Sequence, residues 1–171
     1  MSMAALNSLV NYDQPSKAIV TSLVFELYGV EIPANAVWST PLAYPPILED
    51  TYQRDTAVTL TMPVGSIGVT GQATIRYSRI SLASLSEGNS YPLTMEHTPF
   101  TTEDLLPQIN YTYGLALTLD DVLNTTYTNP HGPFPMMANP TSLAWKGVLD
   151  LDVEVGASSG EPESTGEHSS S

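Results

Sequence analysis

The sequence predicts an α+β protein built from two related small units, each an amphipathic helix packed on a short antiparallel sheet. Three observations carry this reading. One phrase is spelled twice: LYGVEIPANAV at 27–37 and TYGLALTLDDV at 112–122 register without a gap at a spacing of 85 residues. An apolar stripe at helical spacing precedes each copy. A segment of alternating apolar and polar residues follows each copy. The chain then divides into an N-terminal arm (1–15), a first helix-plus-sheet unit (16–90), a second, related helix-plus-strand unit (91–155) and an acidic Ser/Gly/Glu-rich tail (156–171).

In the first unit, SKAIVTSLVFELY (16–28) places Ile19, Val20, Leu23, Val24 and Leu27 on one helical face. Ser16, after Pro15, is the expected N-cap, and Gly29 the left-handed residue that closes the helix. Tyr28, and Tyr113 in the second copy, are expected in the core over the helix ends. A Pro-rich connection then leads to TAVTLTM, where Val58, Leu60 and Met62 alternate with Thr59 and Thr61 as in a half-buried strand. Glycines 65, 68 and 71 permit a turn, and ATIRYSRISL alternates again with a phase change near Ser78–Ile80, as at a bulge or bend. Residues 58–82 therefore read as an antiparallel pair. ASLSEGNSYPLTMEHTPF reads as a linking loop with one edge strand.

In the second unit, Thr101 or Thr102 is the expected N-cap, with Glu103 and Asp104 in a first turn whose dipole favours anions. Leu105, Leu106, Ile109 and Tyr113 form the stripe, Pro107 bends its start, and Gly114 ends it. Thr118 with Asp121 three residues on resembles a capping box opening one short turn. TNPHGPFPMMANP reads as irregular loop. In the last strand Leu149, Leu151, Val153 and Val155 alternate with Asp150, Asp152 and Glu154. The tail holds too little apolar surface to offset the entropy of ordering it.

Composition limits the chemistry. There is no cysteine, hence no disulfide, thiolate nucleophile or Cys-ligated zinc. Five basic residues face eighteen acidic ones, a net charge of −13 that disfavours direct nucleic-acid or anionic-membrane binding. The opening MSMAALNSLV lacks the basic start and apolar stretch of a secretory signal, and no run has the ~18 apolar residues of a membrane span, so a soluble protein made in a cytoplasm is expected.

No enzyme is expected. His97 and His131 fall in loops and His168 in the tail, and no G-x-S-x-G, phosphate loop or H-E-x-x-H occurs. No cofactor or metal is expected either. Asp150, Asp152 and Glu154 share one strand face, but carboxylates ~7 Å apart along a strand hold one cation only if another loop contributes. The candidate contact residues are Trp38, Tyr44 and Tyr52 in the first Pro-rich connection, Tyr127 and Phe134 in the second, and the cations Arg76 and Arg79. Aromatics in long Pro-rich loops suit interface anchors. They suit sugar stacking equally, which keeps a carbohydrate-binding or adhesin-type module as the alternative. The two arginines offer a docking point for an acidic neighbour, or pair within the chain.

The strand pair DTAVTLTMPVGSIGVTGQATIRYSRISL resembles a segment of the virion structural proteins of large (jumbo) tailed bacteriophages, which carry tandem helix-turn-strand units. The matching positions are Thr70, Gly71, Thr74, Ile75, Tyr77, Arg79, Ile80 and Leu82. LLPQINYTYGLALTLDDV resembles the helix and turn that accompany it, and the likeness spans roughly residues 16–155. The resemblance implies a non-enzymatic part of the particle, in tail, neck or capsid shell, assembled in the host cytoplasm. It implies contacts with other virion proteins and with copies of itself. The second unit lacks a clear Gly-turn strand, which leaves it incomplete or reliant on a partner.

Overall fold

The computed structural model describes residues 10–43, 54–63, 71–86 and 92–156. The architecture is mixed α/β, two helices with short strands in several small sheets.

Helix α1 (Ser16–Tyr28) buries Ile19, Val20 and Val24, the centre of its apolar stripe. Its N-cap is Pro15, which offers no side-chain cap, and Ser16 is already helical. The Ser16 hydroxyl is used instead across the fold, donating to Asp121 Oδ1. Helix α2 (Thr102–Tyr113) has a complete capping box: the Thr101 Oγ1 accepts from the Asp104 amide, and Asp104 Oδ2 accepts from the Thr101 amide. Pro107 lies inside a continuous helix, where its missing N–H removes one backbone bond near the start.

Both helices end alike. Gly29 (φ 66°, ψ 21°) and Gly114 (φ 64°, ψ 49°) are left-handed, a region that glycine enters without strain. A turn follows at the same offset, the Ala36 amide donating to the Pro33 carbonyl and the Asp121 amide to that of Thr118. Then Val37 pairs antiparallel with Thr61, and Val122 forms an antiparallel bridge with Ala138.

The main sheet centres on β3 (Thr56–Met62). Along one edge lie β1 (Val37–Trp38) and β2 (Leu42–Ala43), and along the other β4 (Gly71–Tyr77), paired with β3 over its full length. This is the expected hairpin. The expected break after Tyr77 is also present: β5 (Ile80–Ser81) leaves the sheet and enters a 3₁₀ turn at Leu82–Ser86. In the second half, β7 (Phe100–Thr101) pairs with β8 (Thr126–Tyr127), and β9 (Phe134–Met137) with β11 (Val148–Leu151). So the expected irregular loop at 128–140 contains a strand. Buried Phe134 and Met136 alternate with Pro135 and Met137, but the prolines hide the pattern in the sequence.

Two parallel pairings join the halves or close the end of the chain. In the first, β10 (Trp145–Lys146) pairs with β5; in the second, β12 (Val153–Val155) pairs with β6 (Leu93–Met95). The single acidic strand expected at 149–155 is therefore two strands, interrupted at Asp152 and paired with different partners. One buried cluster draws on both halves, from Ile19, Val58 and Tyr77 through Leu105 and Ile109 to Trp145 and Leu149. Among the described residues, no helix is long and apolar enough to cross a membrane.

Candidate functional site

A concavity lies where α1 ends against the β3–β4 hairpin. It is a groove of about 730 Å³. Its floor is apolar, formed by Val24, Ile32, Ala36, Leu60 and Ile75, and its polar lining includes Tyr28, Glu31, Arg54 and Arg76. The position follows from the sequence order. The left-handed Gly29 turns the chain back over the sheet, so residues 30–36 form one wall and the hairpin the other.

Tyr28 is 42% exposed, not the core residue its helix-end position suggested. Its hydroxyl donates to the Arg76 carbonyl at 2.7 Å and accepts from Arg54 Nη1 at 2.5 Å. The Arg54 guanidinium lies 5.8 Å from the ring centroid, in cation–π range. The strand end, the helix end and residue 54 are thereby held together at one rim. Val30, on the groove wall, is 55% exposed.

The expected contact residues scatter. Arg76 lines the groove. Trp38 is half-buried, with Lys17 Nζ 5.9 Å from its ring and its indole N–H buried without a partner among the described residues. Tyr44 and Tyr52 lie outside the described residues. Arg79 is not a docking point but an internal clip: Nε donates to Thr56 Oγ1 (3.2 Å), and Nη1 to the carbonyls of Pro140 (3.1 Å) and Ser142 (3.4 Å). Tyr127 and Phe134 are core residues, not surface anchors. With Phe100 they form a triad with ring centroids 5.3–5.7 Å apart. The Tyr127 hydroxyl donates to the Pro135 carbonyl, and burial pushes its pKa up. Strand pairing draws these loop aromatics inward, which composition alone does not reveal.

His97 and His131 are exposed, and among the described residues no group of three or more His, Asp or Glu side chains converges. Asp150, Asp152 and Glu154 are exposed along the divided strand.

A second polar cluster ties the halves. Lys146 pairs with Asp55, which also accepts from the Thr56 hydroxyl and the Arg79 amide. Partial burial alone would raise the Asp55 carboxyl. Lys146, Thr56 and the Arg79 amide outweigh it and hold the pKa below the ordinary value. Beside it Tyr77 donates to the Leu143 carbonyl at 2.7 Å, and burial pushes its pKa far up. Because the folded pKa of Asp55 is the lower one, its contribution is complete above the unfolded value of about 3.9. It fades as pH falls through the folded value. Asp55→Asn should cost on the order of 1 kcal/mol at neutral pH, since the pair is partly solvated. Melting curves should show a constant gap between wild type and variant from about pH 5 to 8, closing below about pH 4. A gap that widens on acidification would contradict the assignment.

With this geometry in view, the comparisons place the chain. The model of a family described as "Family of unknown function (DUF7941)" matches residues 9–159. The chain belongs to DUF7941. The match takes in both helices, every strand and the groove, so the DUF7941 unit is the fold described above. No curated protein matches the chain, and no solved structure does.

Proposed function

We propose that this DUF7941 chain is a non-enzymatic structural subunit of a bacteriophage virion, in tail, neck or capsid shell, which works through contacts with neighbouring subunits. The observation that carries the reading is the open apolar groove beside Tyr28, with Val30 exposed on its wall. An open apolar concavity of this kind marks an interaction site on a folded protein. We further read the chain as two related units. The shared left-handed glycine, the shared turn at Pro33–Ala36 and Thr118–Asp121, and the antiparallel pairing of Val37 and of Val122 support it. Val37 pairs within β3, the first strand of the β3–β4 pair, and Val122 pairs with Ala138, the residue after β9 of the β9–β11 pair. The tandem arrangement in turn supports the phage resemblance.

The test is mass spectrometry and cryo-electron microscopy of purified particles. The expected result is this chain present in many copies, with the surface around Tyr28 covered by a neighbour. Its absence from particles would end the reading.

A further inference from the structure

We propose that strand β4 pairs antiparallel with the β4 of a second copy, about a two-fold axis at Ala73, so that one sheet runs through two chains. The inference rests on the assembly reading of the groove and names its partner.

β4 is an open edge of the main sheet. It is seven residues long, whereas β1 and β2 on the far edge have two each. One side of β4 pairs with β3 from Gly71 to Tyr77 without a bulge, and no described strand lies on the other. Two separate hydrogen bonds show which of its backbone groups face outward. The Thr59 carbonyl accepts from the Ser39 amide at 2.9 Å, and the Thr59 amide donates to Ser39 Oγ at 3.0 Å. Both backbone groups of Thr59 therefore turn away from β4. Thr74, opposite Thr59, turns both of its own away from β3. Two residues on, the Arg76 carbonyl accepts from the Tyr28 hydroxyl and so faces outward as well. The same alternation turns Gln72 outward. The Arg76 carbonyl is occupied. The N–H and C=O of Gln72 and Thr74 have no protein partner among the described residues.

An edge of this kind is ordinarily blunted by charge, proline, a bulge or a cover. From Gly71 to Ile75 the strand reads GQATI, with no charge and no proline, and Gln72, Ala73 and Thr74 are exposed. A second copy supplies the complement. With the axis at Ala73, Gln72 of each copy lies opposite Thr74 of the other, and each such pair exchanges both of its hydrogen bonds. Ala73 then meets its own counterpart in the close, non-hydrogen-bonded position, where Cα atoms approach to about 4.5 Å and a methyl group fits. Moving the axis to Thr74 would set Gln72 against Arg76 of the other copy, whose carbonyl Tyr28 already holds.

The groove follows from the same axis. It is lined by β4 residues of both sheet faces, so it runs along the outer edge of the strand, with Val30 and Ile32 on its second wall. The axis of an antiparallel pair stands perpendicular to the sheet. Both α1 helices and both copies of residues 30–33 therefore lie on one side of the joined sheet. The two grooves face each other across the axis, and the exposed Val30 gains a covering surface. Because the same edge meets itself, the contact closes at two chains.

The test is amide hydrogen exchange by NMR on the full wild-type chain at rising concentration, with sedimentation velocity alongside. The expected result is a dimer in which the Gln72 and Thr74 amides exchange at least about tenfold more slowly than in the monomer. The Ala73 and Ile75 amides already face β3 and should change little. Thr74→Pro removes an outward N–H and no bond to β3, and Ala73→Lys sets like charges opposite each other at the axis. Each should weaken dimerisation at least about tenfold. The wild-type exchange decides the matter even if a variant fails to fold. A wild type that stays monomeric at millimolar concentration would overturn the proposal. So would a dimer that leaves Gln72 and Thr74 unprotected, or one that both variants retain. Particles that contain the chain with this edge unpaired would overturn it too and leave the assembly reading intact. Absence from particles would end the assembly reading, while protection at Gln72 and Thr74 would still establish the pairing.

Discussion

Replacing Trp145 with alanine should destabilise the protein by about 3–5 kcal/mol, the range for removing a buried large aromatic. Trp145 is 2% exposed and belongs to the parallel β5–β10 pairing, opposite Ile80. It lines a cleft with Val10, Leu85 and Leu115, which come from three separate stretches of chain, so no single neighbour is placed to fill the space it would leave. Domains of this size have a total stability of roughly 5–15 kcal/mol, so the loss is a large share of it. Thermal unfolding followed by circular dichroism should show a midpoint lower by about 10 °C or more, or no cooperative transition at all. Trp145→Phe, which refills most of the volume, should recover over half of the loss. An alanine variant within about 1 kcal/mol of wild type would mean that Trp145 does not join the halves as described.

The second large effect belongs to Asp121, a carboxylate only 4% exposed. Its Oδ1 accepts from the hydroxyls of Ser16 and Ser142, and its Oδ2 from the amide and hydroxyl of Thr118. The Asn139 amide donates to its carbonyl at 2.7 Å. One side chain thus connects the first turn of α1, the turn after α2 and the loop before Trp145. Asp121→Ala leaves the buried Ser142 hydroxyl and the half-buried Ser16 hydroxyl without this acceptor and should cost about 1–3 kcal/mol. Asp121→Asn should recover only part, because its amide group cannot accept from both sides. Ser16→Ala alone should cost about 1 kcal/mol, and almost nothing when added to Asp121→Ala. Denaturant unfolding of the four proteins gives that coupling directly. Additive losses would show that Ser16 and Asp121 act independently.

Asp121 also shows how a local reading fell short of the whole. Half of the Thr118–Asp121 box was legible from spacing: the Thr118 amide and hydroxyl donate to Asp121 Oδ2, but the Thr118 hydroxyl accepts from the Asp120 amide and not from that of Asp121. The reach to Ser16, 105 residues earlier, was not legible, because a serine following Pro15 has the local pattern of a helix cap. A capping box involves neighbours in the chain; the second and third partners of a carboxylate depend on which surfaces the fold brings together. The aromatic residues repeat the lesson. Tyr127 and Phe134 sit in stretches that look like surface loop, yet short strands turn them into Phe100. Tyr28 sits on a helix that looks core-facing throughout, yet its last turn overhangs the groove.

By itself the sequence determined the two helices and their glycine stops, the β3–β4 hairpin with its break after Tyr77, and the turn that follows each Tyr-Gly. These depend on residues a few positions apart: periodic apolar side chains, a glycine free to enter the left-handed region, a threonine able to cap. Tertiary structure alone decided that Ile80 pairs with Trp145 and Leu93 with Val153, that Arg79 is spent inside the fold, and that the groove beside Tyr28 stays open. Such outcomes compare distant surfaces for burial and charge, and no local pattern records which of them will meet.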